Sequence, residues 1–143
     1  MFTVNGKLVY DPIRHDFKKT HKSRTLILEL PKDDLDLYYQ WFLERKYGQW
    51  LKIQRPMYGL HCTIIKGDEF ISNEKIHIWN KHQGMQIQIE LDESSLKSHW
   101  KFWSLEVKSP ELEDLRKEFG LNIYHNFHVT IGRQYEWQYI IKG

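Results

Sequence analysis

Apolar and polar residues alternate most cleanly at Met85, Ile87, Ile89 and Leu91, which interleave with Gln86, Gln88 and Glu90. A period of two predicts a strand with one buried and one wet face. β-Branched and apolar runs predict further strands over Thr25 to Leu30, Leu60 to Lys66, Trp100 to Lys108 (Trp103, Leu105 and Val107 facing one way) and Phe127 to Gly132. Ile76 and Ile78 suggest a shorter partner strand, and Asn5-Gly6 predicts that Phe2 to Tyr10 folds back as a hairpin. Period 3.6 takes over from Asp33 to Tyr47, where Leu35, Tyr38, Tyr39 and Phe42 form the expected buried stripe. Acids sit at its start, Arg45 and Lys46 at its end, and Gly48 is the stop signal. A second helix begins at Pro110 under a Ser109 cap, buries Leu112, Leu115 and Phe119, and ends at Gly120. The tail from Gln134 alternates again at Tyr135, Trp137 and Tyr139.

The order strand, proline, helix, strand occurs twice, from Leu26 to Ile65 and from Trp103 to Ile131. Both passages close on similar words, Leu60-His61-Cys62-Thr63-Ile64 and Phe127-His128-Val129-Thr130-Ile131. The chain therefore reads as one α+β domain over residues 1–143, built by duplication of a strand–helix–strand unit.

Composition narrows the function. With 143 residues the chain can bury a core without disulfides, and its 41% hydrophobic and 28% charged residues are ordinary globular values. A net charge of +2 is too balanced for coating nucleic acid by charge alone, though it permits a local phosphate pocket. The basic run Arg14, Lys18, Lys19, Lys22 and Arg24 reads as a solvated loop, or as a rim that attracts phosphate. One cysteine, Cys62, excludes an internal disulfide and a Cys-based zinc cluster. No apolar run reaches membrane-span length, and Met1 to Tyr10 does not read as a signal peptide, so a soluble, reducing, cytoplasmic setting is expected.

The two words carry the chemistry. In a strand, residues two apart share a face, so His61 joins Thr63 and His128 joins Thr130 opposite an apolar face. If the two units pair about a pseudo-twofold axis, both imidazoles meet across one cleft. One neutral His can then take a proton from an attacking oxygen while the other, charged, protonates the leaving oxygen. The threonine hydroxyls can donate to a phosphate. With 8 His and 5 Thr in the chain, chance placement gives well under one His-x-Thr word, and two are present.

These words, with the repeat that holds them, resemble the signature of the two-histidine (2H) phosphoesterase superfamily. The resemblance extends over nearly the whole chain from about Thr25. It implies a bilobal α+β fold, with antiparallel sheets of the duplicated units lining a central cleft. It also implies metal-independent phosphodiester cleavage without a cofactor, with His61 and His128 as the acid–base pair and Thr63 and Thr130 holding phosphate. Members include RNA 2′,3′-cyclic phosphodiesterases, 2′-5′ phosphodiesterases and phage anti-CBASS nucleases, which degrade cyclic oligonucleotide signals of a bacterial defence system. Leu115 to Leu121 followed by Phe127 to Arg133 is similar to the last group. That implies cyclic di- or trinucleotide substrates and an infected bacterial cytoplasm. The rivals are an RNA-end or 2′-5′ oligonucleotide phosphodiesterase and, from another class, a protein that sequesters a nucleotide uncleaved.

Lys66 and Arg133 each follow their motif histidine by five residues, which matches under the duplication. Strict alternation sets both on the face opposite the histidines unless Gly67 or Gly132 marks a bulge. Candidate surfaces for base stacking are Tyr10, Tyr58, Trp79, Tyr124, Tyr135 and Trp137, whereas Trp41, Phe42, Trp103 and Phe119 read as core. His125 and His128 face opposite sides of a strand and do not suit a shared metal. Cys62 should point into the core as a small hydrophobe.

Overall fold

In a computed structural model, the described residues form seven strands and two α-helices. They are β1 (Phe2–Tyr10), β2 (Leu26–Glu29), α1 (Asp34–Tyr47), β3 (His61–Ile65), β4 (Gln86–Leu91), β5 (Lys97–His99), β6 (Phe102–Val107), α2 (Pro110–Glu118) and β7 (Phe127–Arg133). The structure describes residues 2–12, 24–31, 34–47, 56, 59–99, 102–123 and 127–133. Neither described helix is long and apolar enough to cross a membrane.

The strands make one curled antiparallel sheet in the order β4-β1-β2-β3-β7-β6-β5. The expected duplication is visible in that order. β2–α1–β3 and β6–α2–β7 are each a pair of neighbouring antiparallel strands joined through a helix, and they abut at β3 and β7. The two halves run on into a single sheet. One face carries the core: Leu8, Leu28, Cys62, Ile64, Ile89, Leu105, Val107 and Val129 lie under Leu35, Tyr39, Leu43, Leu112, Leu115 and Phe119 of or next to the helices. Each helix packs across the joint, α1 against β7 and α2 against β3.

Where the chain departs from its local signals, tertiary packing explains the difference. Phe2–Tyr10 is one continuous strand, paired with β4 on one side and β2 on the other, and not a hairpin. Gly6 serves close approach there: a Cβ on it would lie 2.5 Å from Cγ of the buried Leu28. Ile76–Ile78 form a single 3₁₀ turn and not a strand, with the Ile78 and Trp79 N–H groups donating to the Lys75 and Ile76 carbonyls at 3.1 and 3.0 Å. The buried stripe of α1 is Leu35, Tyr39 and Leu43, so Tyr38 falls to the exposed side and Phe42 to the margin. Trp41 is 52% exposed, with the Arg45 guanidinium 5.3 Å from its ring, and is not core. Met85 precedes β4 and is exposed, so the buried alternation begins at Ile87. The second helix follows its sequence closely, with the Ser109 hydroxyl accepting from the Leu112 N–H at 3.3 Å. Gly48, most of the 14–24 basic run and the 134–143 tail lie outside the described residues.

The close approach at Gly6 has a measurable consequence. Gly6→Ala is expected to destabilise the fold by about 1–3 kcal/mol through overpacking against Leu28. A denaturant melt should show the midpoint falling at unchanged slope.

Candidate active site

The face of the sheet opposite the core carries the polar residues of both motif strands, with the buried Ile27 of β2 set across from Thr63. On β3, His61 and Thr63 are half-buried while Cys62 and Ile64 are closed off; on β7, His128 is exposed and Thr130 half-buried over the buried Val129 and Ile131. Cys62 pairs with Val129 across the antiparallel β3–β7 joint. One step either way along that register sets His61 opposite Thr130 and Thr63 opposite His128. Each motif histidine is therefore set opposite the threonine of the other motif, and the two histidines are diagonal neighbours whose backbone positions lie about 7–8 Å apart. That spacing leaves room for one phosphate between them.

His61 has a defined tautomer. Its Nδ1 lies 3.1 Å from the Gly59 carbonyl, which can only accept, so Nδ1 carries the hydrogen and the lone pair of the neutral ring is on Nε2. Gly59 adopts φ +77°, a left-handed conformation that suits glycine. Cys62 lies between His61 and Thr63 on the core side. Burial pushes its thiol up to about 12, only partly countered by the His128 backbone, so it is a packing residue.

The position of Lys66 and Arg133 follows from two matching bulges. Thr63 pairs with Ile27 but Ile65 pairs with Leu26, so Ile64 is an extra residue in β3. Thr130 pairs with Ser104 but Gly132 pairs with Trp103, so Ile131 is the extra residue in β7. Both bulges stand three residues after the motif histidine. After each, alternation returns the fifth residue to the histidine face. Arg133 accordingly pairs with Phe102, next but one to Ser104, and its guanidinium sits 5.2 Å from the Phe102 ring. Lys66 is exposed and lines a cavity of about 230 Å³ together with Thr63, Asp68, Glu69 and Arg116.

The first bulge is held from the other half of the chain. Arg116 of α2, only 4% exposed, donates from Nη1 to the Ile64 carbonyl at 2.8 Å and from Nε to the Asn122 carbonyl at 2.8 Å. Its two terminal nitrogens also grip Glu69, at 2.9 and 2.6 Å. Glu69 in turn accepts from the Lys66 N–H at 2.8 Å. Burial pushes the Glu69 carboxyl up, but hydrogen bonds from Arg116 and the Lys66 N–H, with both positive charges, outweigh it and hold it below the ordinary value.

Two further carboxylates share the wet face. Glu29 pairs with His61 and Glu106 with His128, each directly across a ladder. They hold equivalent places in the two halves, in the words Leu28-Glu29-Leu30 and Leu105-Glu106-Val107. The repeat of that word was the signal for them. Arg116 and Glu69 carry no comparable signal, because their meaning depends on the bulge.

The stacking candidates are not brought together. Tyr10 is 6% exposed and sets its ring 4.9 Å edge-on to Trp79. Trp79 is buried too, donating from Nε1 to Asp11 at 2.9 Å and packing 5.3 Å from Phe119. Neither offers an open ring face to a base, so both are corrected to core. Tyr58, Tyr124, Tyr135 and Trp137 lie outside the described residues. Among the described residues, no group of three or more His, Cys, Asp or Glu is placed to hold a metal ion.

A family profile described as "Swiss Army Knife, 2H phosphoesterase domain" matches residues 26–138. No curated protein and no solved structure matches the chain.

The buried thiol supplies a test of the face assignment. At about pH 8 a thiol-reactive dye should leave Cys62 unlabelled in the folded protein and label it rapidly in denaturant, because the unfolded thiol returns to its ordinary acidity. Rapid labelling without denaturant would place Cys62 on the wet face and overturn the alternation.

Proposed function

Because the chain belongs to the 2H phosphoesterase family, we propose that it is a metal-independent phosphodiesterase that opens the 3′-5′ linkages of cyclic di- and trinucleotide immune signals. By that activity it would relieve a bacterial host of CBASS defence, in the cytoplasm of an infected cell. The observation that carries the chemistry is the crossed arrangement at the joint, where each motif histidine is set opposite the threonine of the other motif.

A phosphate seated between β3 and β7 meets a histidine on either side. One neutral imidazole accepts the proton of the adjacent ribose 2′-OH as that oxygen attacks phosphorus. The bond to O5′ breaks, and the other imidazole, as imidazolium, delivers its proton to O5′. A 2′,3′-cyclic phosphate results, and water can open it with the two histidines exchanging roles. Thr63 and Thr130 donate to the non-bridging oxygens, where negative charge grows. Lys66 and Arg133, turned onto this face by the bulges, are placed to balance the phosphate charge. His61 acts through Nε2 in either role, since its Nδ1 hydrogen is committed to Gly59.

The surroundings favour a small ligand over a long RNA. Glu29 and Glu106 stand directly beside the two histidines. Carboxylates there interrupt the continuous positive track that an extended polyphosphate chain needs. The wording of Leu115 to Leu121 and Phe127 to Arg133 supports cyclic oligonucleotides specifically.

In EDTA, the protein is expected to cleave 3′,3′-cyclic GMP–AMP and cyclic trinucleotides, with His61→Ala and His128→Ala each slowing turnover about 10²–10⁴-fold. Chromatography of the products identifies the linkage cut and so assigns acid and base. Cleavage confined to 2′-5′ oligoadenylate or to RNA with a 2′,3′-cyclic end would keep the chemistry and replace the substrate. Ligand recovered intact after denaturation, with nothing cut, would replace the enzyme by a sequestering protein.

A further inference from the structure

We infer that Arg116 and Glu69 form a positioning pair that sets the catalytic face of the first motif from the second half of the chain; this rests on the phosphodiesterase reading. A bulge leaves its extra residue out of the ladder, and here the Ile64 carbonyl is met by Arg116 instead of β2. The guanidinium fork fixes that carbonyl and Glu69 at once, and Glu69 fixes the backbone of Lys66 from the next turn. The Glu69 N–H closes the same turn onto the Lys66 carbonyl at 3.1 Å. Thr63, Ile64, Lys66 and Glu69 are thereby held in one arrangement around the cavity that Arg116 also lines.

The geometry makes Lys66 dependent on the pair. Without the bulge, the fifth residue after His61 returns to the core side, and its ammonium leaves the histidine face. Arg116 spends its guanidinium on the Ile64 and Asn122 carbonyls and on Glu69. It works through Ile64 and Glu69, which is why a lysine cannot replace it: one ammonium cannot span both groups as a planar fork does.

A double-mutant cycle separates positioning from general support of the fold. Glu69→Gln, Arg116→Lys and Lys66→Ala are each expected to lower kcat/KM for 3′,3′-cyclic GMP–AMP on the order of 10–100-fold. Combining Glu69→Gln with Lys66→Ala should cost no more than the worse single change, because both remove one function. Leu115→Ala, in the core on the same helix, should lower the melting temperature while leaving kcat/KM near wild type. Fully additive losses in the Glu69–Lys66 cycle, or an equal loss in Leu115→Ala, would overturn the positioning role.

Inorganic phosphate, titrated against the amide signal of Thr63, reads the same cycle without turnover. If wild type cuts nothing in the substrate panel and phosphate affinity still shows the non-additive pattern, the proposed activity falls and the positioning pair stands. Additive losses of phosphate affinity would overturn the pair whatever the activity.

Discussion

Everything at the candidate site depends on one antiparallel contact, Cys62 against Val129, where the two halves of the sheet meet. That pair is apolar and fully closed from solvent, so its register is set by burial and not by the polar groups above it. A slip of one residue would send one strand's histidine and threonine into the core and bring isoleucine and valine to the surface. The cost of burying an imidazole and a hydroxyl without partners, together with exposing two branched apolar side chains, locks the pairing. With the register fixed, the crossed placement of His61 with Thr130 and Thr63 with His128 follows without any contact between those residues having to enforce it.

The second constraint is the pair of bulges. A strand of strict period two would bury Lys66 and Arg133, and an unpaired cation on the core face is prohibitive. Adding one residue after each motif threonine resolves the conflict, because two successive apolar residues, Ile64-Ile65 and Ile131-Gly132, both turn inward and the next residue turns out. The orphaned carbonyl of Ile64 then needs a donor, and Arg116 supplies one from below. A buried guanidinium is itself expensive unless satisfied, and Glu69 and the Asn122 carbonyl complete its partners.

Most of the fold was legible because period two and period 3.6 are strong signals over six or more residues. β4, β6, β7 and α2 lie close to where the alternation, the Ser109-Pro110 start and Gly120 place them. The hairpin at Asn5-Gly6 failed because a glycine needed for close approach to Leu28 looks, locally, like a glycine needed for a turn. In α1, the stripe at Leu35, Tyr39 and Leu43 advances by four residues each time, which leaves outside both Tyr38, which the i, i+3 spacing had put in the stripe, and Trp41, which read as core. The histidine–threonine face was readable from two residues of spacing. Its cross-strand partners were not, since pairing His61 with a threonine 69 positions away is a property of the register. The bulges did leave a trace, in the consecutive apolar residues that break the alternation of both motifs.

The duplication repeats positions but joins them into one mechanical unit. α1, which belongs to the first half, packs against β7 of the second, and α2 packs against β3 of the first. Each motif strand is therefore backed by the helix of the other unit. The Arg116 contact to Ile64 is the polar part of the same exchange. A half-chain would lose the helix behind its own motif as well as the opposite threonine, so neither unit could assemble half a site. The halves differ in their surroundings nonetheless: His61 is half-buried with its ring held to the Gly59 carbonyl, while His128 stands exposed on its strand. Two similar words in a symmetric frame thus meet solvent differently, because each motif strand has different neighbours around the same His-x-Thr spacing.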